Sequence, residues 1–173
     1  RNNISYRYIS TDPEERFLKA GQILLLKTFS ESGKEDGFAN YKLLTKTMPV
    51  QLTKAKAAIG NPVKAKGAGM YIFTKESYSA SPDLFVSNHF SGESQLSYIN
   101  PQQKEYNWGT TELYKWKAFN GKMAEGVLYK PEDFDATKKY PLILYFYETH
   151  SDNLYDYIPP TPTGSRLNIS FFV

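Results

Sequence analysis

The sequence has 173 residues, enough for one ordinary domain with its own core, and its 40% hydrophobic and 16% aromatic content is led by 14 Tyr and 11 Phe. The absence of Cys excludes disulfides, thiolate catalysis and zinc–thiolate sites. A net charge of +3, with positives scattered and densest only at Lys54, Lys56, Lys64 and Lys66, is too weak for a nucleic-acid footprint and fits a solvated loop.

Ring-bearing side chains pack well across pleated surfaces, so the composition predicts a mainly β fold. In chain order the strand candidates are Ile4 to Ile9, Ile23 to Phe29, Ala39 to Thr45, Met70 to Lys75, Asp83 to Ser87 and Gln95 to Ile99. Turns are expected at Ser32-Gly33, Asp36-Gly37, Asn61-Pro62, Ser81-Pro82 and Ser91-Gly92, from the backbone preferences of Gly, Pro and Asn. Lys54 to Ile59, with three alanines, predicts the one turn of helix in this half, stopped by Gly60 and Pro62.

A faint repeat runs through the same segment. Gln51-Leu52-Thr53 returns as Gln95-Leu96-Ser97, each copy preceded by two apolar strand candidates. The spacing matches a propeller blade, whose four strands take about 40 to 50 residues; a sandwich or jelly roll fits the strand pattern too.

Past Asn107 the organisation changes. Thr110 to Phe119 and Lys122 to Lys130 flank Asn120-Gly121, a dipeptide that predicts a hairpin closed by a type I′ turn. Pro131 to Asp135 forms an acidic loop, Lys138-Lys139 a basic entry, and Pro141 opens the uncharged run Leu142 to Tyr147. Such a run reads as a strand buried on both faces, although a short buried helix has the same pattern. The loop from Glu148 to Ser165, stiffened by Pro159, Pro160 and Pro162, is long enough to imply service to a site. No segment reads as a membrane span or a signal peptide.

Several candidate residues carry no chemistry on spacing. His150-Ser151-Asp152 holds the triad residue types, but adjacent side chains cannot converge into a nucleophile, base and orienter, so a polar turn is expected. Ser91-Gly92-Glu93-Ser94-Gln95 lacks the second glycine of a nucleophile elbow. His89 stands alone in a turn, and with two His in all a metal site would require a carboxylate cluster that the scattered acids do not form. Tyr106 and Trp108 are expected to be packing anchors. Tyr147 ends the apolar run where side chains of α/β sheets face a ligand crevice, and a phenol there can donate to an oxyanion; on spacing alone a core tyrosine is the better reading.

Asn100-Pro101-Gln102-Gln103, Trp108-Gly109, Glu112 to Trp116, Asn120-Gly121-Lys122, Glu125 to Pro131 and Lys138 to Pro141 resemble, in order and spacing, the passage from propeller to hydrolase domain in the prolyl oligopeptidase and dipeptidyl-peptidase family of serine peptidases. The likeness covers about the last 70 residues; Asp12 to Phe17 is similar to bacterial members. It implies closing blades of a β-propeller over 1–107 and the truncated start of an α/β-hydrolase domain over 108–173. It also implies a peptidase acting on short peptides after Pro or Ala, with no cofactor and Tyr147 as an oxyanion-hole donor. The family commonly follows that tyrosine with small residues, whereas this sequence has Glu148-Thr149. Its catalytic Ser, Asp and His would lie downstream of Val173, so the expectation is a fragment, inert alone, of an exported or periplasmic protein that could form a homodimer. An esterase or acylaminoacyl hydrolase on the same scaffold, and a non-enzymatic β-rich binding module, are the alternatives.

Overall fold

The structure, a computed structural model, describes residues 3–147, 149–162, 164 and 167–173. It is mainly β, as the composition implies. A first antiparallel meander runs β1 (Ile4–Ile9), β2 (Ile23–Ser30), β3 (Asp36–Lys42) and β4 (Val50–Ala55), in that spatial order. A second sheet has the order β5 (Ala58–Ile59), β7 (Met70–Ser77), β8 (Ala80–Asn88), β9 (Ser94–Gln95), with β6 (Val63–Lys64) also paired to β7. β10 (Thr110–Lys117) and β11 (Met123–Lys130) form a separate hairpin. Short 3-10 turns cover Pro101–Glu105 and Ser151–Asn153, and α1 (Ile169–Phe172) is a single helical turn.

The run Leu24-Leu25-Leu26 explains why β2 is central: all three side chains are buried, Leu25 on one face and its neighbours on the other. Leu25 joins Ile9 and Phe38 from the first sheet to Ile59, Phe73 and Phe90 from the second, so one core welds the two sheets. Phe38 is its centre, 0% exposed, with its ring 4.5 Å from Phe90 and 5.9 Å from Phe73. Lys27 and Asp36, 3.1 Å apart, add a polar seam: Asp36 accepts the Ile59 N–H at 2.8 Å and Lys27 donates to the Ile59 carbonyl at 2.5 Å.

The repeat has a structural counterpart. Gln51 and Gln95 each turn a side-chain amide onto the carbonyl two residues ahead, Thr53 and Ser97, at 2.5 and 2.9 Å. In both sheets the glutamine stitches an irregular last strand to its own continuation, satisfying a carbonyl that the ladder leaves over.

Four expectations are corrected. Asp36-Gly37 is no turn but the start of β3, since the Asp36 carboxylate is held between Lys27 and Ile59, and Gly37 faces Thr53 so closely that any Cβ would strike its carbonyl. The turn is made upstream, where Lys34 takes a left-handed φ of 59°. Ser81-Pro82 lies inside β8 at a register shift opposite Glu76, a place that tolerates proline because the ladder is already interrupted. Lys54 to Ile59 is not helical: alanine's modest propensity yields to pairing, with Ala58 and Ile59 laid against Glu76 and Lys75. The Asn120-Gly121 hairpin forms, but only Gly121 has positive φ, and its N–H reaches the Ala118 carbonyl while Ala118 N–H bonds Lys122. That is a type I turn closed by a glycine bulge rather than a type I′ turn.

The largest correction concerns Leu142 to Tyr147. It is neither a buried strand nor a helix; no described residue pairs with it and its side chains are 47 to 82% exposed. Apolarity alone does not make a strand, because a strand exists through hydrogen bonds to a neighbour, and no neighbour takes this stretch up.

Candidate functional site

Trp108 opens the region where hairpin, second sheet and late loop meet. Its indole N–H donates to the Tyr78 carbonyl at 2.5 Å and its ring stacks on Tyr157 at 5.4 Å, with the planes 1° apart. The packing role expected of Trp108 is thus realised; Tyr106 is exposed and anchors nothing comparable. Tyr78 packs edge-on against Tyr129 at 5.2 Å, and burial pushes both phenols up to about 12.

The apolar run leads into a turn that is fixed at several points. Tyr147 stands exposed, followed by Glu148, which lies outside the described residues. Tyr145 lies over the His150 ring at 5.2 Å. Ser151 is buried, while Asp152 bonds Lys34 at 2.8 Å. His150 and Asp152 therefore face different partners, as the polar-turn reading requires. Thr111 donates to the Leu154 carbonyl at 3.4 Å and closes the turn's far side.

Lys34 is the residue that sequence reasoning missed. Its ammonium, on a side chain 3% exposed, bridges Glu125 of β11 at 2.6 Å and Asp152 at 2.8 Å, and Lys115 approaches the other Glu125 oxygen at 3.5 Å. Burial pulls the Lys34 ammonium down, but the bonds to Asp152 and Glu125 outweigh it and hold it above the usual lysine range; Lys34 in turn holds Glu125 below the usual carboxylate range. Nothing in Ser-Gly-Lys-Glu-Asp-Gly distinguishes this lysine from a solvated loop residue.

The remaining candidates are structural. His89 has φ 49°, donates its N–H to Gly69 and lies with its ring across that glycine, where a Cβ could not fit. Ser91 to Gln95 is a turn leading into the edge strand β9, and Glu93, just before that strand, pairs with Lys75. Lys54 pairs with Glu35 at 2.6 Å, and Lys64 lies on the short strand β6. Among the described residues no helix is long and apolar enough to cross a membrane.

Below the hairpin, Tyr157 N–H donates to Glu76 at 3.1 Å, and burial raises both Glu76 and its neighbour Asp156, the latter also through Asp36. A carboxyl whose folded pKa is raised contributes stability that is present below its unfolded value near 3.9 and is lost as pH rises through the folded pKa. Asp156→Asn is therefore expected to raise the thermal midpoint at pH 8 by about 2–4 °C, the shift of a modest stability gain in a chain of this size. The gain should fade toward pH 4, and a difference between the two proteins that stays constant across that range would contradict this account.

No protein-family model matches the sequence, and no curated protein matches it. Among solved structures the chain is similar to the AtxE2 isopeptidase in its apo form, with TM-score 0.54 and 20% identity over 70% of this chain and 18% of that one. It is also similar to a serine-to-alanine variant of the same isopeptidase with Astexin3-dC4 bound, with TM-score 0.50 and 16% identity over 86% of this chain and 27% of that one. The likeness is one of fold, to part of a peptidase, and the chain spans about a fifth to a quarter of the length of the structures it matches.

Proposed function

We propose that this chain is part of a serine-type peptidase of the prolyl oligopeptidase and dipeptidyl-peptidase kind. The observation that carries the reading is the fold likeness to an isopeptidase over most of the chain, found by a route independent of the residues between Asn100 and Pro141 that resemble that family. The two meanders over 1–107 act as propeller blades that restrict entry to short peptides, and 108–173 opens the α/β-hydrolase domain. The paired glutamine clips of Gln51 and Gln95 support a repeated blade.

The reaction is acyl transfer to water through a serine ester, with cleavage after Pro or Ala. The Tyr147 phenol, with a backbone amide, donates to the oxyanion of the tetrahedral intermediate, and its exposure leaves it reachable by substrate. The nucleophile, acid and histidine are supplied by sequence beyond Val173. A donor without a nucleophile stabilises a transition state that is never approached, so the 173-residue chain alone is expected to give no hydrolysis of proline or alanine arylamides. The protein encoded by the full reading frame is expected to hydrolyse them and to react at one serine with a fluorophosphonate. Turnover by the 173 residues alone would overturn the division of labour, and preference of the full protein for simple esters would move it to the esterases.

A further inference from the structure

We propose that the cleft around Lys56 binds the C-terminal carboxylate of a short peptide, with the Lys56 ammonium as its ion-pair partner. The class of ligand, a short peptide, rests on the peptidase reading given above; the subsite itself rests on the cleft.

Two cavities, of about 310 and 440 Å³, share Lys56, Thr111 and Tyr155 in their walls and so form one cleft. It opens where separate parts of the chain meet: the link between the two sheets, the β7–β8 turn, the start of β10 and the late turn. Concave junctions of this kind are common places for ligands, and these volumes reach the lower part of the usual range. Lys56 lies on the two-residue link between β4 and β5, next to Ala57, which is 5% exposed. Its backbone is thus fixed by both sheets while its side chain is free to meet a ligand.

The charges of the cleft are unevenly matched. Glu35 and Glu112 line the larger cavity, and each has a lysine of its own, Lys54 at 2.6 Å and Lys130 at 2.7 Å. Among the described residues Lys56 has no ion-pair partner. It is also the one charged residue in the wall of the smaller cavity, where Ser77, Ser79 and Thr110 bring hydroxyls. The Tyr155 phenol is pushed up by burial and by Glu35, so it stays protonated and able to donate. One ammonium among hydroxyl donors suits an anionic oxygen group and offers nothing to a cation. Leu113 and Leu154 in the wall of the larger cavity give apolar surface to the residues that precede the carboxylate. A lysine on a flat surface gains little from an ion pair, whereas a concave wall that displaces part of the water strengthens it.

The test is calorimetric titration of the protein encoded by the full reading frame, first treated with a fluorophosphonate so that no turnover accompanies binding. The probes are the tripeptide Ala-Ala-Pro and its C-terminal amide. The acid is expected to bind about 10-fold more tightly than the amide, the effect of one charge-assisted hydrogen bond. That preference should shrink as salt is raised from about 20 to about 500 mM, because the pair is open to ions. Lys56→Met should bring the acid down to the affinity of the amide, and Lys56→Arg should keep the preference. Equal binding of acid and amide by the parent, or a preference that survives Lys56→Met, would overturn the carboxylate subsite and leave the peptidase reading intact. Displacement of the tripeptide by inorganic phosphate but not by acetate at the same concentration would overturn the peptide assignment and make the cleft a phosphate site. Failure of the protein to take up the fluorophosphonate would instead remove the reading that names the ligand class.

Discussion

Phe38→Ala lowers the stability of this fold by about 3–5 kcal/mol, the range for emptying a fully buried aromatic site. Among the described residues Phe38 is the one large side chain with no exposure, and it touches both sheets: Leu25 and Ile9 lie on its own side, Phe73 and Phe90 across from it. Truncation therefore removes transfer energy and leaves a cavity between two sheets that are stiffened by their ladders and cannot collapse inward. Since domains are stable by only about 5–15 kcal/mol, this substitution removes a large share of the total. Urea unfolding should show a lower midpoint with an unchanged slope and one transition shared by Trp fluorescence and far-UV circular dichroism. Phe38→Leu, which keeps most of the volume, should lose much less. Two separated transitions in the variant would show that the core does not weld the sheets as described.

On the proposed peptidase reading, Tyr147→Phe in the protein encoded by the full reading frame is expected to lower kcat by about 10²- to 10³-fold, the effect of deleting one oxyanion-hole donor. KM should change little, because the lost bond is made in the transition state and not to the bound peptide. The substitution removes one oxygen from an exposed ring, so the unfolding free energy should stay within ~0.5 kcal/mol of the parent. Steady-state kinetics on a peptide arylamide, alongside an unfolding curve, separate the chemical effect from a structural one. An unchanged kcat would remove Tyr147 from the mechanism, and a lost fold with proportionate loss of rate would make it a core residue after all.

The contrast between β2 and the stretch before Tyr147 shows how far local pattern reaches. Both carry apolar runs and both read as strands, the second as a buried one. Ile23 to Ser30 is one because β1 and β3 lie on either side, with registers running Leu25 to Ile9 and Leu25 to Asn40. Leu142 to Tyr147 has no such neighbours among the described residues, and hydropathy carries no information about who pairs with whom. Ile4–Ile9, the hairpin arms and the two glutamines were legible because their signals are local: alternation, a glycine-marked turn, a repeated tripeptide. Asp36-Gly37 and Ser81-Pro82 misled for the converse reason, since the features that keep them in strands are a lysine, an amide and a carbonyl from elsewhere in the chain. The ion cluster on Lys34 was invisible for the same cause, its partners being brought in by β11 and by the late turn.

The same cluster orders events in time. Lys34 and Asp152 are separated by 118 positions and Glu76 and Tyr157 by 81, whereas consecutive strands of the first meander meet across connections of at most 13 residues and β7 and β8 across two. Closing such long loops is entropically expensive until the sheets on which they land already exist. The meanders and the hairpin therefore assemble first and the 150–157 segment docks last, so it is also the part that detaches most readily from the finished molecule. Proteolysis and amide exchange would then begin beside Tyr147, at the end of the molecule proposed to do chemistry, while the welded pair of sheets stays closed.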